Sequence, residues 1–74
     1  MIREHDTVVL TRDVPEHSLR AGDVGAVVSV YEAGRAFDVE FVAGDGRTVA
    51  VLTLEPGDVR AVTEAEILHV RAIS

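Results

Sequence analysis

The sequence predicts an all-β domain built as a small five-stranded barrel. Short runs of β-branched residues recur along the chain, and turns that contain glycine or proline separate them. The connections between the later strands are short turns, and the one long connection contains a proline that bars it from a central strand. At 74 residues the chain makes one domain, of a size that buries only about 60% of the surface that its unfolded form exposes.

The first strand is expected at residues 6–11, a short β-branched segment. Residues 12–21 form a long connection, in which Pro15 is expected to open a single helical turn because proline fits the first position of a helix. Leu19 is strongly apolar and lies near the end of this connection. We expect its side chain to lie beneath the loop and hold it in place.

The second strand follows a bend between two glycines and ends at Tyr31. Gly22 and Gly25 flank the bend, and a valine-rich segment comes directly after them. Glycine within a strand marks a bulge or a barrel corner, and β-branched residues suit a half-buried pleated surface. We therefore expect a strand that bends sharply as it joins a small barrel.

A third strand is expected over residues 36–42, after a turn in which Gly34 takes a positive φ. Alternation places the two phenylalanines and Val39 on one face and acidic side chains on the other, which is typical of a strand with one solvated side. The Asp-Gly pair at residues 45–46 then predicts a tight hairpin.

The fourth strand, residues 47–54, is apolar on both faces and therefore requires cover on both. One face is expected to line the barrel interior, and either the C-terminal tail or a second copy of the chain is expected to cover the other. A turn at residues 55–58 with one 3₁₀ step leads to a fifth strand at residues 59–62. The residues assigned to cover or self-association are Leu52, Leu54, Ile67, Leu68 and Val70.

The barrel is expected at residues 1–62, and residues 63–74 are expected to be a covering or oligomerisation segment of the same domain. Thr63 and Glu66 match a capping box, which favours a short helix, whereas the alternation that follows favours an extended segment. Both forms stay open, and we favour the extended one. The two-sided fourth strand and the apolar tail together favour a homodimer.

Five short strands with a long first loop, tight later turns and a 3₁₀ step before the last strand indicate an SH3-like barrel, in which two orthogonally packed sheets share one core. The oligonucleotide-binding barrel also has five strands, but it usually places a helix between the third and fourth. Here that connection is only the turn at residues 43–46.

The charge disfavours a nucleic-acid partner. The chain has a net charge of −6, from 13 acidic residues against 7 basic ones, all of which are arginine. Affinity for nucleic acid comes mainly from clustered basic residues that neutralise phosphates, and these arginines are spread along the chain. An RNA- or ribosome-associated barrel is therefore kept only as the alternative.

The N-terminal segment does not match a signal peptide, since charged residues interrupt its short apolar run. No stretch approaches the roughly 18 apolar residues of a membrane span, and cysteine is absent. We therefore expect a cytoplasmic protein.

No pattern in the chain points to catalysis, a metal or a cofactor. The three histidines lie in different segments and cysteine is absent, so a zinc site is disfavoured, and His69 is interpreted as a core-edge or interface residue. No serine has the context of a nucleophile. Residues 22–25 lack the lysine and the helix of a phosphate-binding loop. We expect a protein that is not an enzyme.

Carboxylates on the third strand suggest a surface for a basic partner. Asp38 and Glu40 share its solvated side, about 7 Å apart as residues i and i+2. A barrel of this size is expected to lack room for a substrate cleft of several hundred Å³. The resulting hypothesis is a non-enzymatic protein-binding module of the antitoxin, immunity or accessory type. The residues assigned to its acidic face are Asp13, Glu16, Glu32, Asp38 and Glu40.

Five segments of the chain form a distinctive combination, namely residues 6–10, 19–28, 37–41, 46–48 and 66–71. Together they resemble a bacterial family of small proteins, the domain of unknown function 4926. The Leu-x-x-Gly-Asp-x-Gly piece at residues 19–25 also recurs in other SH3-like barrels, including nitrile hydratase β-subunit domains and translation-associated modules. The resemblance implies an SH3-like barrel and brings no activity with it.

Overall fold

The computed structural model describes residues 2–73 and contains no α-helix in that range. Its strands are β1 (Thr7–Leu10), β2 (Val24–Tyr31), β3 (Ala36–Val42), β4 (Thr48–Leu54) and β5 (Val59–Ala61). Two single 3₁₀ turns, at Pro15–His17 and Pro56–Asp58, lie where the sequence predicts them. The strands form one antiparallel sheet in the order β4-β3-β2-β1-β5. The all-β prediction is confirmed.

All five strands contribute side chains to one core, so the sheet has to curve around it, which is consistent with a small SH3-like barrel. The core residues are Val8, Leu10, Val14, Leu19, Val27, Phe37, Val39, Phe41, Ala50, Leu54 and Val59. Leu19 is 4% exposed, and its backbone pairs with Val14 across the long loop. The prediction that this leucine holds the loop is confirmed.

Gly25 allows β2 to lie against β3 more closely than any other residue could. It faces the interior opposite Val8, and a Cβ atom built on it would lie 2.6 Å from Cγ1 of Val39 and 2.9 Å from Cε1 of Phe41. Two residues later the β2–β3 register shifts, between Val27 and Ser29. Both the glycine and the bulge favour the bend that the sequence predicts for β2.

The β3–β4 register corrects the assignment of two covering residues. Leu52 lies opposite Val39, and Leu54 lies opposite Phe37; opposed residues of an antiparallel pair project to the same side. Leu54 is 3% exposed and Leu52 packs against the core. Both leucines therefore line the interior, and the outward side of β4 carries Val51.

Residues 63–73 contain neither helix nor strand, in agreement with the extended form of the tail. The Thr63 N–H does donate to Oε1 of Glu66 at 2.8 Å, as a capping box requires. The Glu66 N–H, however, bonds to the Thr63 carbonyl in a single turn, and no helix follows.

The tail packs on the outside of the sheet, but over β1 and not over the outer face of β4. Val9 projects outward between two inward-facing neighbours on β1, yet it is only 6% exposed. It lines a cavity of about 150 Å³ together with Leu68 and His69 of the tail. On β4, Val51 stays 54% exposed. Apolar alternation could not identify which strand the tail covers.

Candidate protein-binding surface

The outward side of β2, β3 and β4 carries acidic, hydroxyl and apolar side chains next to one another. Cross-strand register places Asp38 beside Thr53 and Glu40 beside Val51. We refer to this surface as the outer face. It is defined by Tyr31, Asp38, Glu40, Val42, Thr48, Val51 and Thr53.

The Asp38 carboxylate is oriented by two hydroxyl groups. Thr53 Oγ1 donates to Oδ1 at 2.6 Å, and Tyr31 Oη donates to Oδ2 at 2.5 Å. The hydrogen bonds from Thr53 and Tyr31 lower the pKa of Asp38, and the hydrogen bond to Asp38 raises the pKa of the Tyr31 phenol. Asp38 is therefore a fixed anion at neutral pH.

Glu40 is held in a similar way, since Thr48 Oγ1 donates to its Oε2 at 2.6 Å. Within residues 2–73, neither Glu40 nor Asp38 forms an ion pair with an arginine or a histidine. Both negative charges are thus positioned by neutral donors and are not compensated by a nearby cation.

Apolar side chains surround these carboxylates. Tyr31, Val42 and Val51 are 45%, 50% and 54% exposed. Protein interfaces combine exposed aromatic and aliphatic groups with polar groups at their rim, and tyrosine is common among the residues that contribute most to binding. The composition of the outer face therefore fits a protein partner.

The other predicted acidic residues are distributed over two places. Glu32 follows Tyr31 in the β2–β3 turn and is exposed, at one end of the outer face. Asp13 and Glu16 lie in the β1–β2 loop, where the Asp13 carboxylate accepts a hydrogen bond from the Ala21 N–H at 2.9 Å. No hydrogen bond or ion pair of the described chain joins these two residues to the outer face.

A second charged cluster, which no pattern in the sequence predicts, joins the tail to the start of β2. Arg71 donates from Nε to Oδ1 of Asp23 at 2.8 Å and from Nη2 to Oδ2 at 2.6 Å. His69 Nε2 lies 3.1 Å from Oδ1, and the Arg20 N–H donates to Oδ2 at 2.8 Å. We refer to Asp23, His69 and Arg71 as the latch.

The latch holds its carboxylate as a structural anion. The Arg71 hydrogen bonds, assisted by those from the Arg20 N–H and His69, lower the pKa of Asp23 to about 2. Asp23 is 8% exposed and both of its oxygens have partners. Two features of the sequence are signals of the latch, namely a carboxylate between two glycines and an arginine in an apolar tail. Neither feature identifies the other residue as its partner.

Four of the seven arginines are paired with carboxylates within residues 2–73. The pairs are Arg12–Asp58, Arg47–Asp45, Arg60–Glu66 and Arg71–Asp23. The Arg60–Glu66 pair is bidentate and provides a second attachment for the tail. Much of the positive charge is therefore paired with carboxylates of the same molecule.

An open groove of about 680 Å³ lies between the tail and the β3–β4 hairpin. The expectation that so small a barrel lacks room for a cleft of this size is wrong, because the tail adds a second wall. Phe41, Val49 and Ile73 contribute apolar lining. The charged side chains that line the groove are those of the latch and the Asp45–Arg47 pair. Each of them already has a charged or polar partner within the groove.

Two negative findings apply to residues 2–73. They hold no group of three or more histidines, cysteines or carboxylates that could bind a metal ion. They also hold no helix whose length and hydropathy would let it cross a membrane.

The chain matches the model of a protein family described as Domain of unknown function (DUF4926), over residues 4–61. It belongs to this family. The DUF4926 match covers all five strands and Asp23, and it ends before His69 and Arg71 of the latch. The resemblance noted from the sequence is confirmed for those residues. No curated protein and no solved structure matches the chain.

Proposed function

We propose that this DUF4926 protein is a non-enzymatic protein-binding module of the antitoxin, immunity or accessory type, and that its outer face binds a basic partner. The supporting observation is the state of Asp38 and Glu40. Both carboxylates are oriented by hydroxyl groups and have no cationic partner within residues 2–73. Each can accept a cationic side chain without first breaking an internal ion pair.

Such pre-orientation favours binding for a physical reason. A partner's arginine or lysine has to order its own side chain, but Asp38 is already held by Tyr31 and Thr53, so less conformational entropy is lost on association. The acidic net charge also attracts a basic partner over a distance and increases the association rate. The exposed apolar groups supply area that can be removed from water.

The distribution of arginines gives the RNA- or ribosome-associated alternative no comparable support. Four of them are already paired with carboxylates, and phosphate binding requires free, clustered cations. We also propose that the protein is not an enzyme. The charged side chains in the groove support this proposal, because they bind one another and include no nucleophile paired with a base.

The proposal is tested by isolating the partner and measuring its affinity. The tagged chain captures proteins from the native host, and the captured protein is purified and titrated by calorimetry. Asp38→Asn combined with Glu40→Gln is expected to weaken the Kd by about tenfold or more. Raising the ionic strength is expected to weaken the wild-type complex as well.

The matched control is Glu4→Gln combined with Glu64→Gln, which changes the net charge equally at exposed positions outside the outer face. Its Kd is expected to stay within about twofold of wild type. Equal weakening in both double variants would contradict the assignment of the outer face. Capture that depends on RNA and is abolished by nuclease would favour the alternative.

A further inference from the structure

We propose that the basic partner binds as an extended strand paired with the free edge of β4. This inference rests on the proposed function and specifies how the partner docks. β4 is one of the two edge strands of the sheet, and within residues 2–73 it pairs with β3 alone. Half of the backbone N–H and C=O groups of an edge strand point away from the sheet and are available to another chain.

β4 lacks most of the features that protect natural edge strands. It is seven residues long, and Thr48–Leu54 contains neither proline nor a charged residue. Its register with β3 is continuous over residues 50–54, with a single irregularity near the hairpin. The opposite edge, β5, is three residues long and carries the charged Arg60. Long apolar edges that are left uncovered promote association with other strands.

The described part of the tail leaves this edge open. The latch holds the tail at Asp23, at the start of β2, and the tail covers Val9 on β1. Outside the β3–β4 ladder, no backbone hydrogen bond within residues 2–73 involves Thr48–Leu54. Among the described residues, therefore, nothing competes with an added strand for these backbone groups.

The outer face indicates that the added strand is basic. A strand paired with β4 would lie about 4.8 Å from it and about 10 Å from β3. Its outward side chains would lie beside Val51 and Thr53, with Glu40 and Asp38 one strand further away. A long cationic side chain can pack its aliphatic stem on Val51 and place its charged end at Glu40. The fitting partner segment has basic residues at alternate positions, with β-branched residues between them.

Charge disfavours a second copy of this chain at the same edge. Pairing of β4 with the β4 of another copy would join two outer faces into one sheet surface. That surface would carry Asp38 and Glu40 twice, between molecules that each have a net charge of −6. The two β3 strands would lie three strand spacings apart, about 14 Å, so this pairing leaves all four carboxylates without a cation. A heterologous basic strand supplies that cation.

The test uses a capped peptide of about eight alternating arginine and valine residues, the length of an ordinary strand. Saturating peptide is expected to slow amide hydrogen exchange at alternate residues of Thr48–Leu54 by about tenfold or more, the level set by one added hydrogen bond. The amides of Val59–Ala61 should not change. A peptide of the same sequence with alternate backbone amides N-methylated keeps its charge but loses donors, and it should bind more weakly.

The possible results separate this inference from the proposed function. Binding that depends on Asp38 and Glu40 but leaves exchange in Thr48–Leu54 unchanged would overturn strand addition and leave the acidic face supported. Slowed exchange that is equal in the Asp38→Asn, Glu40→Gln variant would support strand addition and contradict the acidic face. No binding at millimolar peptide would overturn the inference. The amides of Thr48–Leu54 could also exchange slowly without peptide, in a sample that has the mass of a dimer. That result would assign the β4 edge to a second copy and overturn the inference.

Discussion

Arg71 donates two hydrogen bonds to the carboxylate of Asp23, and these residues are 48 positions apart in the chain. The pair joins the C-terminal tail to the start of β2. Its side chains are 17% and 11% exposed, so solvent screens it less than an ordinary surface ion pair. Bidentate arginine–carboxylate pairs are also among the stronger charge-assisted hydrogen bonds. The position of the tail therefore depends on this contact.

Asp23→Asn is expected to lower the free energy of unfolding by about 2 kcal/mol, because it leaves a partly buried guanidinium without its anion. Urea denaturation measures the loss, and limited proteolysis is expected to cut the tail sooner than in wild type. Asp45→Asn is the control, since its ion pair with Arg47 is exposed and spans 4.0 Å. That change should cost less than about 0.5 kcal/mol. Equal losses in the two variants would contradict the role of the latch.

Stability is expected to fall in acid through the same carboxylate. The pKa of Asp23 is lowered from 3.8 to about 2 in the folded chain, so the unfolded chain binds this proton more readily. The resulting stabilisation, about 2 kcal/mol, is complete above pH 3.8 and is lost as the pH falls through about 2. Unfolding measured across this range should show wild type and Asp23→Asn converging at low pH. A constant difference between them would contradict this assignment.

Gly25→Ala is expected to destabilise the domain by about 2–3 kcal/mol, because the added methyl group would overlap Val39 and Phe41. Gly44→Ala is the matched control: no atom lies within 4 Å of the Cβ position there, and its φ is not positive. That substitution should be neutral or slightly stabilising. Thermal and urea unfolding measure both changes. Similar stability in the two variants would show that β3 can move away from β2 without cost.

Tyr31 reports directly on Asp38, because it is the one tyrosine of the chain and tryptophan is absent. The hydrogen bond to Asp38 raises the pKa of the phenol above its usual value of about 10. An ultraviolet titration of the phenolate should show this directly. Asp38→Asn is expected to return the pKa toward the usual value, and Glu40→Gln should change it little. The same shift in both variants would indicate a general charge effect instead of this hydrogen bond.

The local patterns of the sequence predicted much of the sheet. β3 has the expected bounds, and Phe37, Val39 and Phe41 are all buried. Gly34 has φ +99° in the turn before β3, as predicted. These features depend on alternation with a period of two residues and on glycine conformation, both of which are properties of neighbouring residues. Such features can be predicted without knowing the tertiary structure.

The errors have a different physical origin. β4 is apolar on both faces, so which set faces inward is determined by its register with β3, as Leu52 and Leu54 demonstrate. The latch joins distant segments, and neither Asp23 nor Arg71 carries a local signal for the other. The groove depends on the Arg71–Asp23 contact as well, because the tail that this contact holds forms one of its walls. Features that depend on where the tail lies could therefore not be predicted from neighbouring residues.

We expect the protein to form a homodimer through its tail. Ile67 and Val70 are 96% and 94% exposed, and exposed apolar side chains that lie close together in the chain favour association. Light scattering measures the mass of wild type and of the Ile67→Glu, Val70→Glu variant, which is expected to be monomeric because two glutamates would be placed in the contact. Val42→Glu with Val51→Glu is the matched control on the outer face and should leave the dimer intact. Monomer mass for wild type at high concentration would contradict self-association. A dimer broken by the control variant would place the contact on the outer face.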